Sequence, residues 1–222
     1  MIENNNKMQE TSPEYIFPFN TCEKPQEDSM VKQPYSVLVN AINCAIILFF
    51  LVQTKHIYTF LLLFSFLAFE AFHMYSHVVH IPGTIQVNIA HTLSYIINGC
   101  FLYFFYTYTK VLPTVLFGIY LFCLFALDIF FFTYYDIVYY LITQSLFLIS
   151  LFLYYSVFLP KQFQESIYLI IGIVLVIIFL VINEKYNCKT MLAWNPDFPY
   201  HIFIETVGIF LFYIISSRFY RL

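Results

Sequence analysis

From Pro34 onward the chain repeats one pattern: a mostly apolar run of about twenty residues, then a short polar break. The runs fall at 36–53, 57–79, 85–107, 111–132, 137–159, 166–182 and 200–217, seven in all. Each is close to the ~20 residues with which a helix crosses ~30 Å of hydrocarbon. The breaks carry turn and loop residues: Gln53 to His56, Pro82-Gly83, Lys110 with Pro113, Tyr134 to Asp136, Pro160-Lys161, and a polar loop from Asn183 to Pro199. Of the 222 residues, 61% are apolar and 10% charged, with 28 Phe and 20 Tyr. Soluble domains carry about 25% charged residues, and a chain this small cannot hide so much apolar surface from water. The expected fold is all-α: a polytopic membrane protein, a seven-transmembrane helix bundle. Six spans with one re-entrant segment is the rival count, because 166–182 is the shortest run.

Residues 1–34 differ. Glu3, Glu10, Glu14, Glu23, Glu27 and Asp28 make them a polar, acidic arm, punctuated by Pro13, Pro18, Pro25 and Pro34. No basic stretch precedes a short apolar core, so the arm does not read as a cleaved signal peptide. Two regions follow: the arm, 1–34, and a helical domain, 35–222. Lys55, Lys110, Lys161, Arg218 and Arg221 lie after odd-numbered spans, which by the positive-inside rule makes those ends cytoplasmic. The arm and the 183–199 loop then face the lumen or exterior, and the C-terminus faces the cytoplasm. Ten Lys and Arg, scattered singly in a chain of net charge -3, exclude a nucleic-acid partner.

Ionisable groups inside spans are costly and mark functional sites by default. In the second span Glu70, His73, His77 and His80 are spaced 3, 4 and 3 apart, which places them on one helical stripe flanked by Ser76. The third span carries Asn88, His91, Tyr95 and Asn98 at the same spacing, and the fourth carries Asp128. The last begins with His201 and Glu205, one turn apart, with Gly208 beyond. With alternating helix directions, His77, His80, His91, Asp128, His201 and Glu205 reach one layer near the outer face. Imidazole nitrogens and carboxylate oxygens at one depth suit a zinc site. His80, His201 and Glu205 are the expected ligands. Packing or hydrogen bonding is the competing account of His73, Glu70 and Asp128.

These residues carry a resemblance. SHVVH, with Ser76 and His80, resembles the Ser-x-x-x-His element of the alkaline ceramidase family, within the seven-span metal-dependent membrane hydrolases that include adiponectin-receptor-like proteins. HIFIETVG resembles the paired histidines of that family's last span, with Glu205 where the final His stands. TCEKPQ resembles the Cys-Glu opening of the luminal arm, and VNAIN the start of the first span. His91 stands eleven residues after His80, where the family has an Asp. An alternative register places His73 on the family His, with Phe69 in place of the Ser. The resemblance implies zinc held by His80, His201 and Glu205, Ser76 stabilising an oxyanion, and His91 or Asp128 moving the proton. It also implies a luminal disulfide between Cys22 and Cys188, and calcium in the arm, for which Glu23, Glu27 and Asp28 are the available carboxylates.

The expected activity is then a zinc-dependent amidase that splits a ceramide-like membrane lipid into a sphingoid base and a fatty acid. The endoplasmic reticulum or Golgi is the expected site in a eukaryote. Two alternatives of other classes stand beside it. One is a non-catalytic lipid sensor or structural membrane protein of the same fold. The other is a proton-coupled transporter using Glu70 and the histidine stripe.

Overall fold

A computed structural model describes residues 21–23, 25–26, 28–79, 81, 83–111, 113, 115–116, 119–120, 122–124, 126 and 137–221. Six helices are bounded within it: α1 Pro34–Leu51, α2 Ile57–Val78, α3 Gly83–Thr109, α4 Ile137–Ser156, α5 Lys161–Trp194 and α6 Ile202–Phe219. The described positions between 115 and 126 are helical too. The fold is all-α. Helix α1 packs on α2 and α6, α2 on α3, α3 on α4, and α5 on both α4 and α6.

Among the described residues four helices are long and apolar enough to cross a bilayer: α1, α2, α5 and α6. The chain is thus a multi-pass membrane protein, but four spans meet the criterion rather than the expected seven. Helix α3 has the length; Asn88, His91, Ser94, Tyr95 and Asn98 keep it too polar. In α4 the apolar stretch, Tyr140–Ser156, is short. The 111–132 run lies largely outside the described residues, as do residues 1–20, Glu27, His80 and Asp128.

The local chemistry explains the helix ends. Pro34 opens α1, where its missing N–H costs nothing. The Glu23 carboxylate sits at that end, accepting the Tyr35 N–H at 3.2 Å and the Ser36 hydroxyl. An anion there satisfies orphan donors and meets the positive end of the helix dipole. Lys110, at φ 58°, terminates α3 in the left-handed conformation, its N–H returning to Tyr106 O.

The end of α5 corrects the expected loop at 183–199. The helix runs on through Asn183–Trp194 and stops only before Asn195-Pro196. Nothing between Gly172 and Pro196 breaks a helix. Its 34 residues span about 51 Å, well beyond the ~30 Å of hydrocarbon. Hydropathy therefore marks where α5 leaves the apolar layer, not where it ends.

The core is aromatic. Around Phe219, at the end of α6, lie Phe104 at 4.9 Å, Phe163 at 5.0 Å and Phe101 at 5.6 Å between ring centroids. Phe101 also meets Phe152 edge-on at 4.9 Å, and Phe105 stacks on Tyr155 at 5.0 Å. Offset and edge-to-face pairs of this kind contribute beyond area burial. This core occupies one end of the bundle, and the buried ionisable groups of α2 and α6 occupy the other.

Candidate metal centre

Helix α2 brings Glu70, His73 and His77 to one face by their spacing. Helix α6 is entered by His201, with Glu205 one turn inside. The packing of α1, α2 and α6 sets these stripes against each other. His73 Nε2, His77 Nε2 and His201 Nε2 then lie 3.5, 3.4 and 2.9 Å from a single atom, Glu205 Oε1. The two α2 nitrogens are 3.2 Å apart. Ligand atoms of all four residues fall within 4.8 Å of one another. His77, His201 and Glu205 are buried, and His73 is nearly so.

A second layer orients two of the imidazoles. Gln33 Nε2 donates to the Glu23 carbonyl at 2.8 Å and to Thr21 Oγ1 at 2.9 Å. That fixes the amide so that Oε1 faces His77 Nδ1, at 2.7 Å. An amide oxygen only accepts, so His77 carries its proton on Nδ1. His201 Nδ1 lies 3.0 Å from both oxygens of Glu184, which leads to the same result. Glu184 Oε1 also accepts the Cys22 N–H at 2.7 Å. In the neutral imidazoles, with the Nδ1 protons committed outward, the Nε2 lone pairs of His77 and His201 face the carboxylate of Glu205.

Lone pairs converging on an acceptor-only oxygen repel one another unless a cation joins them. A proton can serve one pair at a time, whereas a metal ion serves the whole set. Donors about 2.1 Å from a tetrahedral metal stand about 3.4 Å from each other. Four of the six donor separations, 2.9 to 3.5 Å, are close to that edge, and the whole set falls within 4.8 Å. Histidines held through Nδ1 by an amide or carboxylate are also the usual partners of a metal. The donor set suits a metal ion in chemistry and in spacing.

The cluster opens on a cavity of about 400 Å³. Glu70, one turn before His73, lies on its wall with Asn43, whose Nδ2 donates to Glu70 Oε2 at 3.3 Å. Tyr140 of α4 also reaches it. The rest is mainly apolar, including Ile177 and Val181 of α5 and Leu211 and Phe212 of α6.

The structure brings together His201 and Glu205 of the expected ligands, and adds His73 and His77. His80 and Asp128 lie outside the described residues. Ser76 is buried, and its hydroxyl donates to the His73 carbonyl at 2.6 Å on its own helix. His91 turns to α3 and α4: its Nδ1 is 2.8 Å from Val87 O and its ring 4.4 Å from that of Tyr140. Neither belongs to the four-residue cluster. Glu70 shares the cavity with the cluster. Glu23, a calcium candidate, spends its carboxylate on α1, while Asp28 is exposed.

Cys22 and Cys188 are joined by a disulfide. Gln33 and Glu184 are the residues that sequence reasoning missed. Glu184 had a signal: it stands one turn before Cys188, so the helical extension of α5 puts both on one face. Gln33, alone before Pro34, had none.

No family model, curated protein or solved structure matches the chain. The family resemblance therefore rests on the residues named above, and what the structure supports is coarser. It is an all-α membrane fold with a buried three-histidine, one-glutamate cluster, consistent with a metal-dependent hydrolase.

Proposed function

We propose that the protein is a zinc-dependent membrane hydrolase that cleaves the amide of a ceramide-like lipid. The observation that carries this is the cavity: His73, His201 and Glu205 line it with two further carboxylates, Glu70 and Glu184, and most of the remaining wall is apolar. His73, His77, His201 and Glu205 would hold the zinc. Bound there, zinc would supply a water acidified toward hydroxide and polarise the substrate carbonyl.

The chain's own residues do the rest. Gln33 and Glu184 keep the imidazole lone pairs turned inward. Glu70 takes the proton as water adds to the carbonyl carbon, and returns it to the nitrogen as the C–N bond breaks. The products are a fatty acid and an amine. Asn43 holds the Glu70 carboxylate in place. Ile177, Val181, Leu211 and Phe212 form a dry wall for an acyl chain. The ceramide assignment draws on the sequence resemblance as well as on this wall.

Four protein donors are the count of a closed, structural zinc site, whereas catalytic sites commonly use three. That count favours a second reading, a non-catalytic membrane protein bolted by its metal. One experiment separates them. Protein purified in mild detergent without chelators is assayed for zinc and for release of a labelled fatty acid from ceramide. The hydrolase reading expects about one zinc per chain, with hydrolysis lost on chelation and restored by zinc. Zinc without hydrolysis of any lipid amide selects the second reading. Folded protein that neither carries nor takes up zinc defeats both.

A further inference from the structure

Both oriented histidines are reached from a single stretch of chain. The described residues of this stretch, 21–23, 25–26 and 28–33, reach α2, α5 and the residue before His201. At the α2 end, the Gln33 N–H donates to the His77 carbonyl at 3.0 Å, and the Lys32 N–H to that of Val78 at 3.3 Å. Gln33 therefore grips His77 twice, by backbone and by side chain. At the other end Cys22 donates its N–H to Glu184, which holds His201. The Cys22 carbonyl accepts the Tyr200 N–H at 3.1 Å, next to His201 itself. The disulfide to Cys188 ties this end covalently to α5, one turn beyond Glu184.

We propose that residues 21–23 and 28–33 act as a strap that sets the metal affinity of the cluster, with Gln33 and Glu184 as positioning residues and the Cys22–Cys188 disulfide as the tether. The proposal rests on the metal-centre reading and concerns binding, not turnover. Its physical basis is tautomer and aim. An imidazole whose Nδ1–H is held presents one nitrogen to the metal in one orientation. A ring left unheld divides its time between tautomers and rotations, and the metal must then bear the cost of ordering it. The two grips differ in kind. A neutral amide holds His77, and a carboxylate holds His201 and raises its donor strength further.

The test uses the full chain in detergent and measures zinc affinity by competition with a chelator of known affinity. Gln33→Leu removes the acceptor and should weaken zinc binding roughly 10- to 100-fold, the effect of losing such a partner. Gln33→Glu keeps an acceptor for the His77 Nδ1–H but loses the donors to Thr21 and the Glu23 carbonyl, and should bind zinc more tightly than Gln33→Leu, a partial rescue that a purely structural role would not give. Glu184→Gln keeps its shape but loses its charge, and should weaken binding by about tenfold. Cys188→Ser should also weaken it, because the Cys22 amide is no longer tethered beside Glu184. Size-exclusion profiles identify any variant that fails to fold, and Gln33→Glu and Glu184→Gln are the mildest of the set. Zinc affinity unchanged within twofold in both Gln33→Leu and Glu184→Gln overturns the strap while leaving the metal centre standing. Wild-type protein that binds no zinc overturns the strap and the hydrolase reading together. Weakened binding in the variants, with no hydrolysis in wild type, upholds the strap and removes only the hydrolase.

Discussion

The two ends of α6 are built on opposite principles. Fourteen residues, about 21 Å of helix, separate Glu205 from Phe219. Phe219 sits among phenylalanines from two other helices, α3 and α5, each contact weak, none directional in a way that excludes a substitute. Glu205 sits among three imidazoles, two of which, His77 and His201, are oriented by Gln33 and Glu184. The aromatic end degrades gradually when an atom is lost, because its neighbours can close part of the gap. The polar end does not, because each donor removed leaves a buried acceptor unmet. In a bilayer the contrast is sharper, since lipid tails are as apolar as phenylalanine and helix association there depends on packing and on polar contacts.

Five substitutions would break or sharpen that contrast. The largest effect belongs to His201→Ala, which removes a donor and leaves Glu184 without its imidazole. Zinc binding should fall by more than roughly 100-fold, beyond the loss expected for an outer partner. Competition titration reads it directly, on variant protein whose size-exclusion profile shows it folded. Next comes Glu70→Gln. It should retain zinc while ceramide hydrolysis drops by about 10²–10⁴, the usual share of a proton-transferring group. Full hydrolysis in that variant would remove Glu70 from the proposed chemistry.

Phe219→Ala tests the other end. It should cost about 3 kcal/mol of stability, seen as a lower unfolding midpoint, with zinc affinity retained in the folded fraction. A loss of zinc binding in folded Phe219→Ala protein would show that the two ends are not independent. Asn43→Ala removes the donor to Glu70 and should cost about 1–2 kcal/mol. A midpoint equal to wild type would mean that another group compensates. The smallest effect is expected for Gly208→Ala. Its added methyl would meet Asn43 Nδ2 at 3.5 Å, an ordinary contact, and alanine favours the helix over glycine by up to about 1 kcal/mol. Zinc binding should be unchanged and stability equal or slightly raised; a clear loss would show that α1 and α6 cannot yield at that point.

Much of the fold was legible before any coordinates. Periodicity places α1, α2 and α6 within two residues or so of their observed ends, because an apolar face and a turn-forming break are local properties. The spacing of Glu70, His73 and His77, and of His201 and Glu205, is local in the same way. One turn of helix puts each set on a stripe wherever the helix goes. The same local rule misread the end of α5, where a polar stretch without a breaker continues as helix.

What the amino-acid sequence determined by itself is therefore the membrane class, the helices, and the chemical character of two faces. It also held the two cysteines whose pairing the resemblance anticipated. The choice among the histidines was a matter of tertiary structure. His73 and His77 share one stripe, and only the packing of α2 near α6 decides that they meet Glu205. The pairing of Gln33 with His77 and of Glu184 with His201 joins residues 44 and 17 positions apart. No periodicity encodes such pairs. They arise because a buried imidazole must find an acceptor, and the packing of four segments decides which acceptor is within reach.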